Sequence, residues 1–170
     1  MKIPHSHGTG RFSLDQLGHL GLDVVLEEGV RIFHPETIEL GDRVYVGHDS
    51  ILKGYHLNRM RVGEGSWIGQ QCFLHSAGGL TIGREVGLGP GVKIITSHHE
   101  DGGPGPILRR PLVFLPVELG DGCDVGIGAC ILPGTTIGRE TQVAAGAVVK
   151  GDFPDHVVIG GVPARIIRRR

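Results

Sequence analysis

The chain has 170 residues, 39% hydrophobic and 21% charged, which is enough apolar material to bury one core and to form one folded domain. Its 17 basic and 18 acidic residues leave a formal net charge of −1, so no global positive field exists to gather nucleic acid or anionic lipid. Nowhere do about 18 apolar residues run together as a membrane helix needs, and the opening stretch MKIPHSHGTGRFSLDQ lacks the apolar segment of a signal peptide, so the expected location is the cytoplasm.

The first local signal is SLDQ at residues 13–16, a capping-box pattern that predicts one short helix sealing the open end of the downstream repeats. Residues 1–23 read as this cap segment and 24–170 as a repeat domain with a C-terminal tail. From Leu40 the chain falls into a step of six: Leu40, Val46, Leu52; Val62, Ile68, Leu74; Ile82, Leu88, Ile94; then Leu119, Val125, Ile131, Ile137, Val143 and Val149. All fifteen positions are branched aliphatics, which chance does not produce. Glycine often follows the aliphatic, as at Gly41, Gly63, Gly89 and Gly126, and the fourth residue after it is small or β-branched, as at Val44, Ser50, Ser66, Cys72, Val86, Cys123, Ala129, Thr141 and Ala147.

A period of six fits neither a helix nor an alternating strand. It fits a short strand plus a tight turn, with the aliphatic inward, the small residue in the corner, and glycine where the backbone is crowded. Three such units close a triangular coil, and coils stack as parallel strands. Residues 55–61, YHLNRMR, and 77–81, AGGLT, break the count and read as turns bulging from the coils. The largest break, 17 residues, runs from Glu100 to Pro116. Cys72, Cys123 and Cys130 are an odd number without a CxxC pair and read as small core residues rather than as a disulfide framework or a zinc knuckle.

Segments such as LGDRVYVGHDSI, VGEGSWIGQQCF, IGREVGLGPGVK and the stretch from LGDGCDVGIGAC to GGVPARIIR resemble the hexapeptide-repeat acyltransferases. Within them, the group that includes galactoside and maltose O-acetyltransferases is the one resembled, over roughly residues 24 to 168. The resemblance implies an all-β fold, a left-handed parallel β-helix with an extended loop at about 100–116, and a homotrimer. It also implies acetyl-coenzyme A as donor substrate, bound between neighbouring subunits, with no metal.

The rhythm ends at Thr96-Ser97-His98-His99. Neighbours on an extended segment face opposite sides, so a register that persists to the end of the coil turns His98 toward the corner and His99 toward the outer surface. Long loops inside regular architectures are usually functional. In the family resembled, the catalytic histidine stands fifth in its hexapeptide, just before the extended loop, in sequences of the type T-x-x-H; here that implies His99. A sugar hydroxyl attacking a thioester needs a base, and histidine, with an unperturbed pKa near about 6.5, suits that work. His98 reads as a structural residue or a helper at the acceptor site. Gln71, Glu100 and Arg109 are the other candidate acceptor contacts, and Asp101 and Arg110 lie beside them. Each has an ordinary reading as a solvated polar residue. Trp67 reads as an interface anchor or a sugar-stacking surface.

For the donor, the resemblance implies that the pantetheine arm runs along turns corresponding to Gly126–Ala129 and Ala144–Ala147, with Ile127, Gly128 and Ala145 at its side. Lys150, Arg165 and Arg168 match the basic positions near the phosphates. The terminal Arg168–Arg170 run also reads as a solvated tail. The function expected is acetyl-coenzyme A-dependent O-acetylation of a sugar or sugar-containing acceptor by direct transfer, with N-acetylation of a nucleotide-linked amino sugar as the near alternative. A γ-class carbonic-anhydrase-like zinc site would have to draw on His75, His98 and His99, two of which are adjacent and therefore poor joint ligands. A non-catalytic β-helix scaffold is the remaining alternative.

Overall fold

The computed structural model describes residues 6–170; the first five residues of the expected cap segment lie outside the described residues. The cap's SLDQ signal becomes a single 3-10 turn, Leu14–Gln16, in which Gln16 Oε1 accepts the Ser13 N–H at 3.0 Å. The chain is extended again at Leu17, which with Phe12 packs onto the end of the core.

From His19 the chain winds as a parallel β-helix of about 7 turns, with three flat faces. Strands on one face pair in parallel from coil to coil, giving sheets of 7, 8 and 6 strands, the eighth strand of the second sheet, Ala164–Arg169, being added antiparallel. The first face carries Ile38–Leu40, Met60–Val62, Leu80–Ile82 and Val117–Leu119; the second carries Tyr45–Val46, Trp67–Ile68, Gly87–Leu88 and Asp124–Val125; the third carries Ile51–Lys53, Phe73–His75, Lys93–Ile94 and Cys130–Ile131. The coiling is consistent with the left-handed sense that the resemblance implies.

The six-residue step is the register of this stack. Leu40 pairs with Val62, Val62 with Ile82, Ile82 with Leu119 and Leu119 with Ile137, and equivalent columns run from Val46 to Val143 and from Leu52 to Val149. All fifteen aliphatics are buried at 3% exposure or less. At about 1.5–3 kcal/mol for each side chain withdrawn from water, these columns are the main driving force for folding.

The small corner residues are buried as well, and where they carry a hydroxyl it is used. Ser50 Oγ donates to Gly69 O at 2.9 Å and accepts the Cys72 N–H at 3.1 Å; Ser66 repeats the pattern with Gly83 O and the Val86 N–H one coil later. The glycine that follows nine of the fifteen aliphatics, all of them on the first and second faces, answers a close approach between coils. A Cβ on Gly126 would lie 2.5 Å from Ala145 N, and one on Gly89 would lie 2.7 Å from Ile127 N.

Four expectations are corrected. The breaks at 55–61 and 77–81 are shorter than their count suggests, because Met60–Val62 and Leu80–Ile82 are strands paired with each other, with Met60 and Leu80 buried two residues before Val62 and Ile82. Cys130 is half-exposed: its strand neighbour Ile131 points inward, so it must point out. Cys72 and Cys123 are core residues as expected, and burial pushes both thiols up from their ordinary pKa. The C-terminal arginines are exposed, as a solvated tail would be, but they continue a strand. Ala164–Arg169 turns back antiparallel on Val157–Gly161, and the Arg170 N–H reaches His156 O at 2.8 Å.

The fourth correction concerns the large loop. It leaves the helix at Thr96 rather than at Glu100, because Ser97–His99 pairs antiparallel with Leu112–Phe114 and forms a two-stranded ribbon outside the coils. All three breaks therefore stand on one edge of the prism, between the third face and the first.

Candidate active site

The ribbon is rooted in the core through Thr96. Its buried Oγ1 accepts the Gly78 N–H and donates to His75 O, both at 2.9 Å, while its carbonyl accepts the Leu115 N–H at 3.0 Å. This closes the neck of the arm against the preceding coil. Beside the neck, Tyr55 lies 5.8 Å from Phe114 and 4.3 Å from His56, ring centre to ring centre, so an aromatic cluster fills the root.

His98 and His99 are half-buried on the ribbon. His99 Nδ1 is 2.9 Å from the carbonyl of Arg110 across the arm, and His98 Nδ1 is 2.8 Å from the carbonyl of His99. A carbonyl only accepts, so each contact requires Nδ1–H, and each neutral ring then keeps its lone pair on Nε2. The two rings differ in what holds them. The partner of His98 is its own chain neighbour, whereas that of His99 is 11 residues away and depends on the arm being closed.

Beyond the last pair of the ribbon, His99 with Leu112, the Glu100 N–H reaches Pro111 O at 3.0 Å. The loop then opens into a run of glycine and proline. Arg110, read from the sequence as an arm residue that reaches an acceptor or a neighbouring subunit or is simply solvated, instead turns back onto its own loop: Nη1 donates to the carbonyls of Asp101 at 2.7 Å and Glu100 at 3.3 Å, and Nη2 to that of Gly105 at 3.2 Å. Glu100, Asp101 and Arg109 are exposed, Arg109 closing the 3-10 turn Ile107–Arg109.

The remaining candidates stand elsewhere. Gln71 is exposed at the edge between the second and third faces with φ of +56°, its N–H bonded to His48 O. Ile127, Gly128 and Ala145 lie along the same edge on the last coils, where the Gly146 N–H bonds Ile127 O at 2.9 Å. Among the described residues the N–H groups of Ile127 and Ala145 make no hydrogen bond within the chain, and a Cβ on Gly128 or Gly146 would meet nothing within 4 Å, so this edge is open surface bordered by free amide donors. Lys150 is exposed just after the third-face strand Val148–Val149. Arg165 and Arg168 lie exposed on the returning C-terminal strand, opposite Gly160 and Val158, and among the described residues the side chain of each donates only to a neighbouring backbone carbonyl. Trp67 is 41% exposed on the second face and stacks on Tyr45 at 5.4 Å.

The chain thus brings His98, His99, Glu100 and Arg109 together on the arm, and Gln71, Ile127, Gly128 and Ala145 together on a different edge. Among the described residues, no group of three His, Cys, Asp or Glu side chains is placed to hold a metal ion. His75 stays on the third face, where desolvation first and the charge of Lys53 second push its pKa down. The sequence reading missed the carbonyl of Arg110 and the aromatic root of the arm. No sequence signal marks either, since both join residues on separate breaks or limbs.

The class that this fold defines is the hexapeptide-repeat β-helix, and the resemblance read from the repeats holds: its relatives are named acetyltransferases and its structural neighbours include hexapeptide-repeat acyltransferases. No protein-family model matches the chain. Galactoside O-acetyltransferase of Escherichia coli K12 is 35% identical over 95 residues, 52% of this chain and 43% of that protein. The maltose O-acetyltransferase structure from Clostridium difficile 630 has a TM-score of 0.67 at 26% identity, covering 91% of this chain and 71% of the other. A hexapeptide-repeat acetyltransferase from Vibrio cholerae, solved with acetyl-coenzyme A, has a TM-score of 0.63 at 26% identity over 91% and 72% of the two chains. AntD, an N-acyltransferase from Bacillus cereus solved with dTDP and coenzyme A, has a TM-score of 0.83 over 94% and 89%, but at 22% identity it supports the fold alone. The chain spans about half the length of the curated relatives it matches, with 50%, 43% and 55% of three of them covered.

Proposed function

We propose that this protein is an acetyl-coenzyme A-dependent O-acetyltransferase of a sugar or sugar-containing acceptor, working as a cytoplasmic homotrimer with His99 as general base. The observation that carries the reading is the His99 Nδ1 contact with the Arg110 carbonyl at 2.9 Å, which leaves Nε2 as the proton acceptor on an arm projecting from the coils. In the proposed reaction Nε2 takes the proton of the acceptor hydroxyl as its oxygen bonds to the acyl carbon of the donor. The carbon–sulfur bond then breaks, and the imidazolium returns the proton to the departing sulfur, so that ester and free thiol leave and His99 is neutral again. An N–H group donating to the carbonyl oxygen would stabilise its negative charge in between.

The donor reading rests on the open edge at Ile127, Gly128 and Ala145 and on the exposed Lys150, Arg165 and Arg168, which suit a slim polar arm ending in phosphates. Because this edge and the arm bearing His99 are separate in one protomer, a site using both draws on two subunits, which is the reason for the trimer. Gln71, His98, Glu100 and Arg109 are the proposed acceptor contacts. N-acylation of a nucleotide-linked amino sugar is the second reading.

The test is release of free thiol from acetyl-coenzyme A with a panel of galactosides, maltose, nucleotide-linked amino sugars and chloramphenicol-like drugs. Acceptor-dependent release with a hydroxyl sugar supports the first reading. Release with amino sugars alone moves the assignment to the second, and none above hydrolysis with any of them overturns both.

A further inference from the structure

We infer that Arg110 is a positioning residue whose guanidinium closes the arm so that its own carbonyl locks His99 in the Nδ1–H tautomer; this rests on the reading of His99 as the base. A neutral histidine carries its ring proton on either nitrogen, and only the Nδ1–H form leaves Nε2 free to accept a proton. Among the described residues the sole hydrogen-bond partner of the His99 ring is the carbonyl of Arg110, which lies past the last strand pair of the ribbon. The strand pairing therefore does not hold that carbonyl in place.

The segment between the two limbs, Asp101-Gly102-Gly103-Pro104-Gly105-Pro106, has three glycines and two prolines, and so has little intrinsic order and few amide donors. Between residues 100 and 111 the backbone makes three hydrogen bonds of its own: Glu100 N–H to Pro111 O, Arg109 N–H to Pro106 O, and Arg110 N–H to Ile107 O. Only the first joins the two limbs. The Arg110 guanidinium supplies the rest, with donors to Glu100, Asp101 and Gly105 from one rigid plane. Its Nε is buried without a partner, an unfavourable setting that the group occupies because its other two nitrogens are engaged. The same residue thus anchors the glycine-rich limb through its side chain and the catalytic ring through its backbone. A lysine, with one compact ammonium, cannot span three carbonyls held in this fork.

The test uses full-length protein labelled with 15N at histidine, in which long-range proton–nitrogen spectra report the tautomer of each ring, with His99 identified by its loss in His99→Ala. Wild type should show His99 protonated at Nδ1. In Arg110→Met and Arg110→Lys a population protonated at Nε2 should appear at His99 but not at His98, whose partner is the adjacent carbonyl. Turnover should fall about tenfold or more, a part of what a general base contributes, while KM for acetyl-coenzyme A stays within about twofold. Thermal unfolding checks that both variants keep the wild-type fold, which is expected because the arm stands outside the coils. An unchanged His99 tautomer in the folded variants overturns the inference. A changed tautomer with unchanged turnover supports the positioning role and instead overturns His99 as the base.

Discussion

Thr96→Val is the most direct probe of how the arm is fastened. Valine keeps the shape of threonine, so no cavity opens, but the Gly78 N–H loses its acceptor and the His75 carbonyl loses its donor at a fully buried residue. Leaving a buried polar group without a partner costs about 1–3 kcal/mol, so two partly shielded groups together should cost about 2–4 kcal/mol. For a chain of this size that corresponds to roughly 5–15 °C in Tm. Urea unfolding followed by circular dichroism, at one fixed protein concentration, measures the change. Thr96→Ser, which keeps the oxygen, should recover most of it. A loss below about 0.5 kcal/mol in the valine variant would contradict the argument that this hydroxyl holds the neck, since ordinary surface substitutions lie in that range.

Two further predictions concern the coils. Gly126→Ala should destabilise by about 1–3 kcal/mol because its Cβ would meet Ala145 N at 2.5 Å, whereas Gly128→Ala, at φ of +68° but in open space, should cost only the left-handed backbone penalty of about 1–2 kcal/mol; paired urea titrations compare them, and the reverse order would refute the close-approach account. His75, whose pKa is depressed by desolvation and Lys53, favours the neutral ring in the fold. The unfolded chain therefore binds more protons below about pH 6.5, so the contribution of His75 is complete above that pH and is lost as pH falls toward its folded value. His75→Phe should make Tm less sensitive to acidification from pH 7.5 to 5.5 than wild type, and equal sensitivity would count against this assignment.

The coils were legible in the sequence because every coil repeats the same steric problem. An aliphatic must point inward, a small residue must fit the corner, and a glycine must let the next backbone approach, so Leu40 to Val149 announce themselves. The same register contained the outward position of Cys130, one residue before the inward Ile131, but residue type alone suggested a core thiol. Met60 and Leu80 were harder to read, since the first face starts its strands two residues ahead of the repeat count, next to breaks of unequal length. The arm was legible as a place and not as a structure. Its ribbon pairs His98 with Val113 and His99 with Leu112 across an aperiodic loop, and nothing in Gly-Gly-Pro-Gly-Pro says which limb meets which. The turn of Arg110 back onto its own loop followed from that geometry and had no counterpart in local sequence.

The central claim is that the imidazole of residue 99, rather than that of its neighbour, removes the acceptor proton. It is tested by the steady-state rate of thiol release for His99→Ala and His98→Ala, each with the acceptor that wild type uses best. The account predicts that His99→Ala loses about 10²-fold or more in turnover with an unaltered melting curve, while His98→Ala stays within about tenfold of wild type. Near-wild-type turnover in His99→Ala, or a larger loss in His98→Ala, would contradict it.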